Sequence, residues 1–261
     1  METLNYKNII LSDDSSYYLY QNERIFPHLE LIEGLKFHSE GLAAVKLLKK
    51  TPNLLTKQPD LAEKQANPSQ NYIWKHINIA GNFIYPQAYQ RVFGYYDSKA
   101  AVTDFEGDSF HIDTKGERAY TQNYSWVGNY QQERVVVRLA KDYFHLNNDG
   151  ERYYTENYLY VGDYKDGAAA VKLQNGYYNH INLSGERLYT DKKFLDLGVF
   201  HKNIATARDE KGYFHTDKAG DGLYSQRYLQ IEPFYNGVAL VTNFDYSRLL
   251  INEAGERIAW V

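Results

Sequence analysis

Histidine is the residue in this chain whose placement could do chemistry. Five of the eight, His76, His111, His145, His180 and His215, each stand five residues ahead of a glycine. Tyr143, Tyr178 and Tyr213 come two residues before three of them. A neutral imidazole binds metals, moves protons and changes charge near pH 6.5. If the segments carrying these rings surround an axis, the rings could converge on a metal. No His-x-His or His-x₃-His pair and no cysteine is present, so such a site would depend wholly on long-range symmetry. The same eight side chains could instead line a polar cleft, and they form the candidate ligand-binding set for a small polar molecule or a glycan. The third use is packing. Each imidazole would hydrogen-bond its own hairpin backbone or the nearby Asn or Asp and stack on the preceding aromatic. Packing is the favoured reading, and no metal or cofactor is assigned.

The histidines are regular because the chain is. The clearest copies of one turn read FHIDTKGERAY (110–120), FHLNNDGERYY (144–154), NHINLSGERLY (179–189) and FHTDKAGDGLY (214–224). KHINIAGNFIY (75–85) and LLINEAGERIA (249–259) are looser, and LYQNERIF (19–26) is the loosest. The turn glycines at 81, 116, 150, 185, 220 and 255 step by 34 or 35 residues. A fixed period of this length marks stacked supersecondary units.

Each unit reads as antiparallel β. In 167–200, GAAAVKL, YYNHIN, ERLYT and FLDLGVF are four strands, separated by turn signals. Asn or Asp opens the second turn (Asn78, Asp113, Asn147, Asn182, Asp217, Asn252) and glycine follows three residues later. Those are the preferences of a type I turn, and a left-handed glycine then closes the hairpin. The second strand alternates without a plainly polar face. Trp74, Tyr143, Tyr178 and Tyr213 share a side with the histidines, while Phe110, Phe144, Phe214, Ile77, Ile112, Leu146 and Ile181 take the other. A sheet covered on both sides is implied. The first strand uses small residues, as in GLAAV (41–45), VVV (135–137) and AAAV (168–171). That suits the innermost strand of a radial fold or the inner corner of a solenoid.

The fold class is therefore all-β, with six to seven tandem antiparallel units of about 35 residues in a single domain over 1–261. A propeller-like arrangement is placed ahead of an open β-solenoid. An insert near 48–70, LKKTPNLLTKQPDLAEKQANPSQ, interrupts the first units. It is polar and proline-containing, and PDLAEKQA could form one or two helical turns. It is expected to be a surface loop or a partner-docking arm.

The rhythm resembles the WG-repeat family. GDYKDGAAAVKLQNGYYNHINLSGERLY (162–189) carries its small-residue strand, Gly-aromatic turn and Ile-Asp-x-x-Gly-like turn, and FYNGVALV (234–241) repeats the first half. The resemblance covers about 17–261. The Trp-Gly pair that names the family is missing; Gly176-Tyr177 and Gly212-Tyr213 stand near its place, and other units have Asp142-Tyr143 or Asp108-Ser109. The family implies a β-repeat scaffold with no catalytic residues to carry over.

Composition narrows the partners. The net charge is −4 with interspersed signs, which argues against nucleic acid. No apolar run reaches the roughly 18 residues of a membrane span. The first residues, METLNYKNIILSDDSSYYLY, do not form a secretory signal, and the absence of cysteine fits a reducing compartment. A cytoplasmic location, or export without a cleavable signal, is expected. No nucleophile elbow, phosphate loop, dinucleotide fingerprint or zincin motif occurs. Asp163, Asp166 and Asp196 are loop or strand-end acids that nothing singles out. The function expected is a non-catalytic scaffold for a protein partner, with the Tyr/His cleft as the alternative. The Glu-Arg doublets at 117–118, 151–152, 186–187 and 256–257 are expected to bridge neighbouring units as exposed ion pairs. Buried histidines would also make the fold lose stability below about pH 6.5.

Overall fold

The computed structural model describes residues 4–49 and 71–261. Among them there is no α-helix, only a 3₁₀ turn at Tyr6–Asn8. None of their helices is long and apolar enough to cross a membrane. The helical turns anticipated in the 48–70 insert lie, from residue 50 on, outside the described residues. The chain divides into two compact units, Met1–Tyr130 and Gln131–Val261. The repeat period does not announce that division, although the one 34-residue step, Gly116 to Gly150, spans it.

The first unit contains β1 (Ile10–Leu11), β2 (Tyr18–Tyr20) and β3 (Glu23–Ile25) as one antiparallel sheet. β4 (Leu31–Gly34), β5 (Leu42–Leu48) and β6 (Tyr72–Asn78) form the next. β7 (Arg91–Tyr96), β8 (Lys99–Thr103) and β9 (Ser109–Asp113) form a third, and β10 (Trp126–Val127) follows. The second unit pairs β11 (Val135–Leu139) with β12 (Asp142–Leu146). It continues with β13 (Tyr160–Val161), β14 (Ala168–Lys172) and β15 (Tyr178–Asn182), then β16 (Asp196–Leu197), β17 (Ala205–Asp209) and β18 (Gly212–Thr216). The last sheet is β19 (Gln230–Ile231), β20 (Val238–Thr242), β21 (Arg248–Asn252) and β22 (Arg257–Trp260).

The tandem antiparallel architecture is the one the period implies. Two of the four expected strands are placed differently. The expected third strand at 186–190 shrinks to one bridge, Ile181 to Arg187. After the Leu188 N–H donates to the His180 carbonyl, the chain leaves the ladder and carries Tyr189 into the core. The expected fourth strand at 194–200 keeps only Asp196–Leu197, and these residues pair with β17 of the following sheet. The crossing takes one residue. The Tyr178 N–H still donates to the Phe194 carbonyl, while the Leu195 N–H already donates to Arg208. The same exchange recurs at 89/90, 158/159 and 228/229. At these four places the chain supplies backbone partners to two sheets, which ties those sheets together through obligatory donors and acceptors.

Small first strands let both faces of a sheet be covered. On β5, Ala43 and Val45 pack with Tyr18, Phe26 and Ile77, while Leu42 and Ala44 pack with Tyr85, Tyr95 and Ile112. Successive side chains on one strand therefore serve two different core layers. In the second unit one layer joins Tyr189, Phe194, Leu197, Phe214, Tyr224 and Ile251.

The Asn/Asp–Gly hairpins form as their spacing implies. Asn182 Oδ1 accepts from the N–H groups of Ser184 (2.9 Å) and Glu186 (3.0 Å), and Gly185 sits at φ +80°. This Asx turn occupies the donors that a tight reversal would otherwise leave unpaired. The Glu-Arg doublets take up local work instead of the expected ion pairs between units. Glu186 Oε2 accepts from Asn182 Nδ2 at 2.9 Å. The guanidinium carbons of Arg118 and Arg152 lie 3.7 and 4.0 Å from the ring centres of Phe110 and Phe144. A planar cation gains more by covering an aromatic face than from an exposed ion pair.

Candidate functional site

All five repeated histidines are interior: His76, His111, His145, His180 and His215 are 0–1% exposed. β-Alternation drives them inward, because the small first strands leave room beside Ala44, Ala101, Val136, Ala170 and Thr206, their cross-strand partners. Each imidazole has two partners. One ring nitrogen, Nδ1, meets the hydroxyl of the tyrosine nine residues later: Tyr85 (2.5 Å), Tyr120 (2.6 Å), Tyr154 (2.7 Å), Tyr189 (3.0 Å) and Tyr224 (2.6 Å). The other, Nε2, meets a backbone carbonyl 17 or 18 residues on, at Phe93 (2.7 Å), Gly128 (2.9 Å), Gly162 (2.9 Å), Gly198 (2.8 Å) and Glu232 (2.9 Å).

The second contact fixes the tautomer. A carbonyl only accepts, so Nε2 carries the proton and donates it, and Nδ1 accepts from the tyrosine hydroxyl. A third contact comes from an aromatic ring 19 or 20 residues on. Tyr95, Tyr130, Tyr164, Phe200 and Phe234 lie with centroids 4.7, 4.8, 4.6, 4.3 and 3.9 Å from their imidazoles. The partners anticipated from sequence, the hairpin backbone, the turn Asx and the preceding aromatic, are therefore replaced by a tyrosine hydroxyl, a distant carbonyl and a later ring. The turn Asx is unavailable because its oxygen caps its own turn.

Burial holds all five imidazoles well below the ordinary histidine range, down to about 4, against the smaller upward pull of the carbonyl. Burial likewise raises the partner tyrosines well above theirs. Neutral His and neutral Tyr are thus the stable pair, with every polar atom used. The tyrosine ring then supports the next hairpin. A Cβ placed on Gly185 would stand 2.6 Å from the Tyr154 ring, and one on Gly255 2.6 Å from Tyr224.

These facts remove the histidines from any ligand cleft. No two of the five share a partner, and both nitrogens of each are engaged in hydrogen bonds, which leaves neither nitrogen open to a metal. Among the described residues no group of three or more His, Asp or Glu could hold a metal ion. Tyr143, Tyr178 and Tyr213 stand on the same strand face as their histidines but at its half-buried end. There they accept cations across the ladder: Arg138, Lys172 and Arg208 lie 5.6, 5.3 and 5.4 Å from the three ring centres. Lys46 repeats this over Trp74 at 5.8 Å.

The accessible features lie elsewhere. The last sheet exposes Tyr235 (77%), Tyr246 (78%) and, on β22, Ile258 and Trp260. All four residues of β22 are exposed and the strand stands at the edge of its sheet. Sequence reasoning missed this surface because the Asx–Gly turn of LLINEAGERIAW recurs in register, so its outer strand reads like the expected third strand of the other units.

No family model and no curated protein matches the sequence. Solved structures do. The computationally designed Ika8 protein aligns over 97% of this chain and 84% of its own at 10% identity, with a TM-score of 0.46. BamB from Moraxella catarrhalis aligns over 85% and 70% at 11% identity and a TM-score of 0.45. The WD40 beta propeller domain of Doa1 aligns over 63% and 64% at 12% identity and a TM-score of 0.34.

Proposed function

We propose that this protein is a non-catalytic β-repeat scaffold of the WG-repeat type that binds a protein partner. The observation carrying this is β22. Ile258 and Trp260 are large apolar side chains exposed on an edge strand whose residues are all exposed, with a bulge that leaves Ile258 unpaired between Arg257 and Ala259. An extended peptide added along that edge would gain ladder hydrogen bonds and two exposed apolar side chains, Ile258 and Trp260, to pack against. Exposed edges are usually blunted against pairing; this one carries a single bulge and still presents Trp260 at 59% exposure and Ile258 at 52%. The buried His–Tyr network supports the same reading, since it consumes the groups that could have done acid–base chemistry and returns a rigid support. The 48–70 insert, expected as a docking arm, lies from residue 50 on outside the described residues and carries no weight here.

A displayed random-peptide library tests the proposal. Selected peptides should be rich in β-branched and aromatic residues, and their binding should slow amide exchange at 257–260. Ile258→Pro should abolish that binding with the melting temperature nearly unchanged. Peptides that bind while leaving exchange at 257–260 as it was would contradict the proposal.

A further inference from the structure

The repeated cross-strand row changes in the last sheet, and the change opens a groove. In two consecutive sheets the row reads Tyr160–Lys172–Tyr178 and Asp196–Arg208–Tyr213. A long cation in the middle lies over an aromatic at the end. In the last sheet the row reads Gln230–Thr242–Arg248. Threonine replaces the long cation and arginine replaces the ring. Between this row and the preceding one lies a groove of about 650 Å³, lined by Asp196, Tyr213, Gln230, Glu232, Thr242 and Arg248, with Tyr246 at its side.

The groove is polar and its polar groups are largely free. Asp196 Oδ2 accepts from the Tyr213 hydroxyl at 3.3 Å. Among the described residues, the side chains of Gln230, Glu232, Thr242 and Arg248 have no hydrogen-bond partner. Glu232 is held in position by its own carbonyl, which accepts from His215 in the buried seam below. The groove therefore offers planar acceptors (Asp196, Glu232), planar donors (Arg248, Gln230), hydroxyls and a freely exposed tyrosine ring.

We infer that this groove is a binding site for a neutral carbohydrate. Vicinal hydroxyls both donate and accept, so they satisfy carboxylates and a guanidinium together, where a simple anion would meet two carboxylates and a simple cation would meet Arg248. The apolar C–H face of a sugar ring matches Tyr246, which is 78% exposed. Pockets of this kind use a few fixed polar groups for orientation and rings for contact area. The inference is independent of peptide binding at β22.

The test uses the full chain on an array of immobilised neutral oligosaccharides (gluco-, manno-, galacto- and N-acetylhexosamine series) beside sialylated and sulfated ones. Soluble monosaccharides are titrated in parallel by calorimetry. Retention of a neutral series with monosaccharides silent identifies a polymer-borne ligand; binding of the monosaccharide as well identifies a free sugar. Arg248→Ala and Asp196→Asn should each weaken binding at least tenfold. Thr242→Arg, which puts a long cation at the centre of the row, as Arg208 stands in the neighbouring sheet, and fills the groove, should abolish binding with the melting temperature nearly unchanged. Retention of no neutral series, retention of charged glycans alone, or binding that survives Thr242→Arg would each overturn the inference.

Discussion

The seam beside the first sheet and the five histidine seams solve the same packing problem with different chemistry. In the first sheet Tyr18 takes the histidine's place. Its hydroxyl donates at 2.7 Å to the carbonyl of Leu35, seventeen residues on, and its ring meets Phe37 at 5.2 Å. A phenol hydroxyl directed at that carbonyl leaves no second acceptor where Nδ1 would be. The tyrosine that would serve Nδ1 is correspondingly Phe26, which has no hydroxyl and packs under Gly81 as Tyr154 packs under Gly185. The last hairpin drops both groups: Leu250 and Ala259 stand nine residues apart where His and Tyr stand elsewhere. His with Tyr, Tyr with Phe, and Leu with Ala show that the two positions change together. The rule being obeyed is that a buried polar atom needs its partner, and that both can be removed at once.

The comparison breaks most sharply with acid. The imidazoles are held near 4 when folded, against about 6.5 in the unfolded chain. The unfolded state therefore binds more protons over that interval, and stability falls as pH drops from about 6.5 towards 4. At pH 5.5 each histidine costs about 1 kcal/mol relative to neutral pH, so five remove several kcal/mol. Denaturant titrations at pH 7.5 and 5.5 should show this loss. Amide exchange at pH 5 should be faster, relative to pH 7.5, across the histidine seams than across the Tyr18 seam. Equal protection would mean that the two kinds of seam do not differ.

Glycine substitutions sharpen the packing half of the comparison. Gly185 and Gly176 both adopt left-handed backbone, at φ +80° and +87°. Only at Gly185 would a Cβ meet a ring; nothing lies within 4 Å at Gly176. Gly176→Ala should cost about 1 kcal/mol, from the backbone alone. Gly185→Ala should cost about 3 kcal/mol, adding the overpacking of Tyr154. Matching losses in chemical denaturation would show that the ring does not press on the turn.

A double-variant cycle is gentler. His180→Tyr strands the Tyr189 hydroxyl in the core, whereas His180→Tyr with Tyr189→Phe copies the Tyr18–Phe26 pair. The double variant should recover about 1–2 kcal/mol relative to the sum of the singles. Additive losses would separate the two positions. Smallest is Lys172→Ala, which removes a half-exposed cation from the face of Tyr178 and should cost under about 1 kcal/mol.

Much of the fold was legible because β geometry writes itself in periods of two and thirty-five. The Asx–Gly spacing named the turns, and the small residues of GLAAV and AAAV named the doubly covered strands. The interior use of the histidines was readable as packing, and its real partner was in plain view. The clearest copies end in Tyr, nine residues after His, and the two fall together only once the turn between them is closed. The carbonyl at Gly198 and its counterparts could not be read, since a backbone acceptor carries no side-chain signature. The strand exchange at Phe194–Leu195 was hidden for the same reason. The groove at Arg248 showed only as a lapse in the repeat, Thr242 and Arg248 where a cation and a ring recur, and a lapse gains meaning once neighbouring sheets are placed side by side.

The central claim is that five neutral imidazoles, protonated at Nε2 and accepting at Nδ1, each tie the tyrosine that ends a hairpin to a backbone carbonyl 17 or 18 residues on. Nitrogen-resolved NMR of the histidine rings in the intact protein tests it most directly. The account predicts five resonances of the Nε2-protonated tautomer, unchanged from pH 8 down to about pH 5. Rings that titrate near 6.5, or that carry their proton on Nδ1, would contradict it.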